Sequence, residues 1–224
     1  PAGSEAVSPA GSGAAGAAAP AVPERKSRGR LSILEVRRDR RFLIFCGLSL
    51  LVFITMSQWL STLSVYGSDR LGVTTTQLGL MFGLNGFMVV VFQIPVTRAL
   101  RFLSLIGAMV LGSLIYAVSF FGLAFATAYL HLVLAMVAIT LGELVVSAPS
   151  IALVSLMAPE GRTGRYMGLY SLTSSFAWSA GPFVGGVLLD LWMGTPMLLW
   201  GGIAAFAVAA AAGFWRFRGL YPSG

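Results

Sequence analysis

The chain has little of almost everything that builds a water-soluble enzyme. Of its 224 residues only 10% are charged, eight of them acidic, and it holds one histidine and one cysteine. A lone cysteine, Cys46, allows no internal disulfide; it sits near the end of an apolar run, where a small packing role suits it. One histidine, His131, at the edge of another run builds no metal site, and no His or Cys cluster helps it. Intramembrane serine proteolysis needs a nucleophile in a Gly-x-Ser-Gly setting and a histidine at matching depth. Neither is present, so the chain is not read as an enzyme and no metal is expected.

What the chain has is apolar length: 57% of its residues are hydrophobic and its mean hydropathy is +0.84. About 30 Å of hydrocarbon is crossed by ~20 apolar residues in a helix. Six runs meet that need: Phe42–Tyr66, Gln77–Val96, Leu103–Phe125, Leu130–Leu156, Tyr166–Leu189 and Pro196–Trp215. Inside a bilayer the backbone must satisfy its own hydrogen bonds, so each is expected to be a helix. The expected fold is an all-α membrane protein of six transmembrane helices. Its two groups of three are separated by an odd number of spans and so form inverted repeats.

Charge sets the expected orientation. Fourteen of the fifteen basic residues fall in the N-terminal flank or in the links with Arg98 and Arg101, with Arg162 and Arg165, and with Arg216 and Arg218. Only Arg70 lies on the other side. The positive-inside rule then places both ends in the cytoplasm of a multi-pass protein of the cell (inner or plasma) membrane. The net charge of +7 reads as contact with anionic lipid headgroups. No basic face with a docking element for nucleic acid is visible.

Three regions follow. Residues 1–41 are expected to be a linker. Pro1–Pro23, rich in Ala, Gly, Pro and Ser, lacks the bulk to offset chain entropy. The basic stretch from Arg25 to Arg41 reads either as a short interfacial helix or as a disordered tether. Residues 42–218 are the transmembrane body and 219–224 a short tail.

Polar residues inside the spans mark the candidate site. Glu143 is the one ionisable group near the middle of a span, where a carboxylate costs on the order of 3 kcal/mol or more. Thr140, Glu143, Ser147 and Ser150 share one helix side, as do Thr55, Gln58, Ser61 and Thr62. Asn85 sits at comparable depth, and Ser171, Ser174, Ser175 and Trp178 give the fifth span a polar face. These four faces are expected to line one water-accessible cavity. The plainer alternative is that Ser and Thr bond their own helix carbonyls while Gln58 and Asn85 clamp helices together. Small residues at four-residue steps, Thr173, Ala177, Gly181 and Gly185, and also Gly201, Ala205, Ala209 and Gly213, are expected to let helices approach closely. Pro149 and Pro182 are expected to kink their helices, and the second, among glycines, is a candidate bending point.

Several stretches resemble a known family. Asn85-Gly86 through Phe92-Gln93-Ile94-Pro95-Val96-Thr97-Arg98 is similar to a degenerate cytoplasmic loop motif. Gly142-Glu143, Pro149, Ala158-Pro159, Arg162 and Arg165-Tyr166-Met167-Gly168-Leu169-Tyr170 follow a family passage between two spans. Gly181-Pro182-Phe183-Val184-Gly185-Gly186 is similar to an antiporter motif. Together they resemble the C-terminal half, spans seven to twelve, of a major facilitator superfamily transporter, nearest its bacterial multidrug efflux branch. The loop motif departs from the full form: Pro95 and Ala99 stand near its Gly and Asp, and Arg98 and Arg101 remain.

The resemblance implies alternating access by two six-helix halves around a small organic substrate, with a proton gradient as energy source and no cofactor. The partner would be an N-terminal six-helix half. It makes Glu143, Gln58, Asn85, Ser147 and Trp178 candidates for substrate binding or proton coupling. Arg98, Arg101, Arg162, Arg165, Gly181, Pro182 and Gly185 become candidates for gating. The Gly-Glu pair also resembles proton-coupled peptide uptake transporters, so uptake stands beside efflux as an expectation. A channel or a non-transporting membrane interaction module are the readings from other classes; neither rings of charge nor a re-entrant filter loop supports a channel.

Overall fold

A computed structural model describes residues 39–219. The expectations for residues 1–38 and for the tail beyond Gly219 lie outside the described residues. Between them stand seven α-helices and one 3₁₀ turn, and no strand among the described residues. We label them α1 (Arg40–Ser57), α2 (Thr62–Leu71), α3 (Thr75–Ala99), α4 (Leu105–Gly122), α5 (Tyr129–Met157), α6 (Thr163–Trp192) and α7 (Pro196–Arg218). Six segments are long and apolar enough to cross a membrane, with α1 and α2 together forming the first. The all-α, six-span expectation is met.

Local chemistry sets the starts. The Asp39 carboxylate accepts from the Phe42 N–H at 3.0 Å and caps α1. Thr74 and Gln77 form a reciprocal capping box on α3, which opens that helix two residues before the expected Gln77. Ser104 caps α4, and Pro196 occupies the first turn of α7, where its missing N–H costs nothing. Gly72 ends α2 in the left-handed conformation, φ 64°, which a residue without Cβ adopts freely. Pro149 and Pro182 both lie inside continuous helices.

The first span is not the single helix that its hydropathy suggests. It breaks at Gln58–Ser61, where backbone N–H groups bond three residues back: Gln58 to Thr55 O at 3.1 Å, Trp59 to Met56 O and Leu60 to Ser57 O, both at 3.3 Å. The shift leaves the Ile54 carbonyl without its usual backbone donor. Side chains replace it: Gln58 Nε2 donates to Ile54 O at 2.7 Å and Ser57 Oγ at 2.8 Å. Such repairs are what a membrane helix requires where its ladder is interrupted.

The break is held by α6. Gln58 Nε2 also donates to the Gly181 carbonyl at 3.0 Å, while Gln58 Oε1 accepts from Thr62 Oγ1 at 2.6 Å. The glycines of α6 make this approach possible. A Cβ at Gly181 would overlap Ser57 Oγ, and one at Gly185 would overlap Thr62 Oγ1 and Gln58 Oε1. Elsewhere Gly112 of α4 meets Gly142 and Val146 of α5, and Gly213 of α7 meets Leu48 of α1. The bundle interior is filled by an aromatic column. Tyr116 stacks near Phe120 (6.3 Å between centroids), Phe120 near Trp200 (6.2 Å), and Trp200 meets Tyr66 edge-on (5.2 Å).

Burial is uneven. Only 17% of the most apolar window of α3 and 22% of that of α6 is buried, against 44–50% in the other four spans. Phe87, Val90, Ile94, Phe176 and Phe183 stand exposed on these two helices.

Overpacking a close helix crossing costs about 1–3 kcal/mol. Gly181→Val and Gly185→Val are therefore expected to reduce the yield of monodisperse protein and lower its thermal midpoint in detergent. Gly186→Ala, whose Cβ meets nothing within 4 Å, is expected to leave both unchanged. Equal behaviour of the three variants on size exclusion would refute the account of the crossing.

Candidate functional site

Glu143 is the middle residue of α5, roughly 20 Å from either end at 1.5 Å per residue. Every basic side chain among the described residues stands near a helix end or in a link, so none of these reaches that depth through its own helix. The carboxylate is instead met by an amide. Asn85 Nδ2 donates to Glu143 Oε2 at 3.1 Å and to Thr140 Oγ1 at 3.0 Å. Thr140 in turn donates to Met136 O at 2.8 Å, which leaves its oxygen free to accept from Asn85. Thr140 is fully buried and Asn85 nearly so, whereas Glu143 is half-buried. The anion is thus anchored at its base and open on one side.

Alpha-helical spacing explains the pairing. Gln77, Asn85 and Gln93 recur at eight-residue steps on α3, close to two helical turns, and all three meet α5. Tyr129 Oη donates to Gln77 O at 3.0 Å, Asn85 binds Thr140 and Glu143, and Gln93 Nε2 donates to Leu144 O at 3.4 Å. This polar seam ties the lightly buried α3 to the bundle. Ser147, one turn from Glu143, donates its hydroxyl to the Glu143 carbonyl.

The structure does not gather the four expected polar faces into one cavity. Gln58, 1% exposed, is spent in the clamp between the broken first span and α6, and Thr55 and Thr62 are buried beside it. Its surroundings are backbone carbonyls and hydroxyls with no open side. Trp178 is half-buried on α6 and joins none of the hydrogen bonds around Glu143. Gly181 and Gly185 form the close crossing with Gln58, whereas Pro182 between them is exposed and takes no part in it. Arg98, Arg101 and Arg165 are exposed and Arg162 half-buried at the arginine-rich end of the bundle. Arg101 borders a crevice of about 280 Å³ between α3, α4 and α5, lined by Thr97, Leu105, Leu144 and Pro149 among others. A second, shallower crevice between α1 and α6 is lined by Cys46, Thr173 and Phe176. Glu143 lines neither.

One residue of the site escaped sequence reasoning. Tyr116 of α4 is fully buried, its hydroxyl has no hydrogen-bond partner, and its ring lies beside Gly142, the residue before Glu143. Its ring packs where a Cβ at Gly142 would sit 3.3 Å away. Tyr116 lies in a span whose polar content is otherwise slight, and nothing in its spacing relates it to a residue on another helix.

Breaking the amide–carboxylate pair leaves a mid-membrane anion without its donor. Asn85→Leu is expected to destabilise the folded protein by about 1–2 kcal/mol. Adding Glu143→Leu should recover part of that loss, a positive coupling in a double-mutant cycle by thermal melting. Strictly additive losses would show that the pair contributes nothing to stability.

A profile of the Major Facilitator Superfamily matches residues 4–182 and, in a second overlapping alignment, residues 68–223. The chain is 32% identical over 152 residues to the uncharacterized MFS-type transporter YttB of Bacillus subtilis, covering 66% of this chain and 38% of that one. A second Bacillus subtilis protein, the uncharacterized MFS-type transporter YqjV, is 27% identical over 165 residues, 72% of this chain and 40% of its own. An uncharacterized MFS-type transporter of Methanocaldococcus jannaschii is 27% identical over 125 residues, 56% of this chain and 32% of its own. The chain thus spans about a third to two fifths of the length of these relatives.

Proposed function

We propose, from the premise that this chain belongs to the Major Facilitator Superfamily, that it is the C-terminal six-helix half of a secondary active transporter. In that reading it exports small organic molecules, cationic ones among them, in exchange for protons. The observation that carries the reading is Glu143: a carboxylate at the centre of a span, fixed from one side by Asn85 and Thr140 and open on the other. An intramembrane charge of this kind faces a cavity, a proton or a substrate. Glu143 lines neither of the two crevices described, and its open side is where a second wall would stand.

The uneven burial supports the same arrangement. The two least buried spans, α3 and α6, are those left with broad exposed faces, as surfaces awaiting another six-helix half would be. Alternating access then follows from rocking one half against the other around a site near the midplane. Glu143 either holds a proton or neutralises a cation, and the two compete for one carboxylate. Asn85 positions the carboxylate in both states. Ser147 and Trp178 supply a hydroxyl and an aromatic edge for substrate, and Gln58 with Gly181 and Gly185 sets the α1–α6 crossing around which gating occurs. In the same reading Arg98, Arg101, Arg162 and Arg165 anchor the half at the cytoplasmic surface of the cell membrane, the side on which the positive-inside rule expects both termini.

The test is energised efflux of the cationic dye ethidium from cells expressing the full gene product. Uncoupler-sensitive efflux that Glu143→Gln reduces at least tenfold is expected. Efflux unchanged by Glu143→Gln would make the carboxylate a structural partner only. Accumulation in place of efflux, driven by the same gradient, would assign the protein to uptake.

A further inference from the structure

At the arginine-rich end of the bundle the crevice of about 280 Å³ separates α3, α4 and α5. Neither the clamp at Gln58 nor the pair at Glu143 accounts for it. Its cause is local. Helices α4 and α5 touch at Gly112 and Gly142, where a Cβ at Gly112 would overlap Val146 and stand 3.2 Å from the Gly142 carbonyl. Nearer the arginine-rich end the walls are Ala108 of α4 and Ala148 and Ala152 of α5. These methyl groups are too short to fill the space that the three helices leave between them. Leu144, Ala148 and Ala152 stand at four-residue steps, so the crevice follows about 12 Å of α5 at 1.5 Å per residue.

The crevice is apolar along its length and basic at its mouth. Its walls are Leu, Ala and Pro side chains except at the end of α3, where Thr97 and Arg101 stand. Arg101 is exposed, and its N–H donates to Arg98 O at 3.3 Å, so two arginines share one turn. No acidic residue occurs between Asp69 and Glu143, so α3, α4 and their link carry no carboxylate to neutralise that pair. The first turn of α4, capped where Ser104 Oγ accepts from the Gly107 N–H, adds a partial positive charge on the same side. An apolar slot thus opens beside a doubly basic mouth at the level where the spans end.

We propose that this crevice binds one anionic phospholipid, with an acyl chain between α3, α4 and α5 and the phosphate at Arg101 and Arg98. A free phosphate would use the mouth and leave the apolar walls uncovered. A zwitterionic lipid would cover the walls and gain less at the mouth. A basic residue near the membrane surface favours anionic lipid by about fivefold. Lipid binding here is independent of whether Glu143 meets a proton or a substrate, yet it bears on the same helices. Gln93 Nε2 donates to Leu144 O at 3.4 Å and to Thr97 Oγ1 at 3.2 Å, and both Thr97 and Leu144 line the crevice. An acyl chain there lies against the seam by which α3, and with it Asn85, is held to α5.

The experiment titrates the full gene product in detergent with dioleoyl phosphatidylglycerol or dioleoyl phosphatidylcholine and counts bound lipids by native mass spectrometry. The first phosphatidylglycerol is expected to bind about tenfold more tightly than the first phosphatidylcholine. Arg101→Gln is expected to cut that preference about fivefold, whereas Arg216→Gln, at the same end but outside the crevice, leaves it. Ala148→Phe fills the slot and is expected to weaken both lipids about tenfold; Arg101→Gln, a surface change, carries the test if Ala148→Phe fails to fold. Equal binding of the two lipids by the wild type would overturn the proposal. So would a preference that Arg101→Gln leaves intact or that Arg216→Gln reduces equally, and so would wild-type lipid binding by folded Ala148→Phe. Displacement of the lipid by an equal concentration of glycerophosphoglycerol, the headgroup without chains, would overturn it too, since the phosphate alone would then be the ligand.

Discussion

A polar group facing hydrocarbon without a partner costs several kcal/mol, and each distinctive feature of this bundle answers that constraint. Where the first span changes its hydrogen-bond step, the amide of Gln58 and the hydroxyl of Ser57 take over the abandoned Ile54 carbonyl. Having its donor there, Gln58 reaches across to the Gly181 carbonyl as well. One side chain thereby mends its own helix and fixes the neighbouring one. The same constraint pairs Glu143 with Asn85 and seats Thr140 between them. It also draws notice to hydroxyls that remain uncommitted, those of Ser49, Tyr116 and Tyr170.

The spans divide into a supporting set and a presenting set. The aromatic column from Tyr116 to Tyr66 and the glycine contacts of α4 with α5 make a solid interior. Helices α3 and α6 lie against that interior with one side each and leave the other uncovered. Glu143 belongs to the supporting helix α5, but its partner Asn85 belongs to the presenting helix α3. A displacement of α3 would reach the carboxylate directly, through the Asn85 hydrogen bond.

Much of the fold was legible because hydropathy and length act on whole segments: all six spans were placed from sequence, with ends shifted by a few residues toward capping groups such as Thr74 and Asp39. The interruption at Gln58 was not legible. Its cause is a partner 123 residues away, the Gly181 carbonyl, and the local sequence there contains no proline or glycine to announce it. The site was half legible. Glu143 stood out by cost and Asn85 by depth, and both readings rested on single residues. Which of the polar faces would meet depended on helix rotation, which periodicity leaves free: the face of Gln58 turned to α6, and that of Asn85 turned to α5. Tyr116 carried no signal, since a tyrosine in an apolar run reads as bulk until a neighbouring carboxylate gives its hydroxyl meaning.

The crossing of α1 with α6 ties together positions that are far apart in the gene. Ser57 and Thr62 occupy the space that side chains at Gly181 and Gly185 would need. A larger residue at either glycine would need a smaller one opposite, so the two sides of the crossing constrain each other's size. A single substitution fits at Gly186, where a Cβ meets nothing within 4 Å, but at Gly181 it needs a second change opposite.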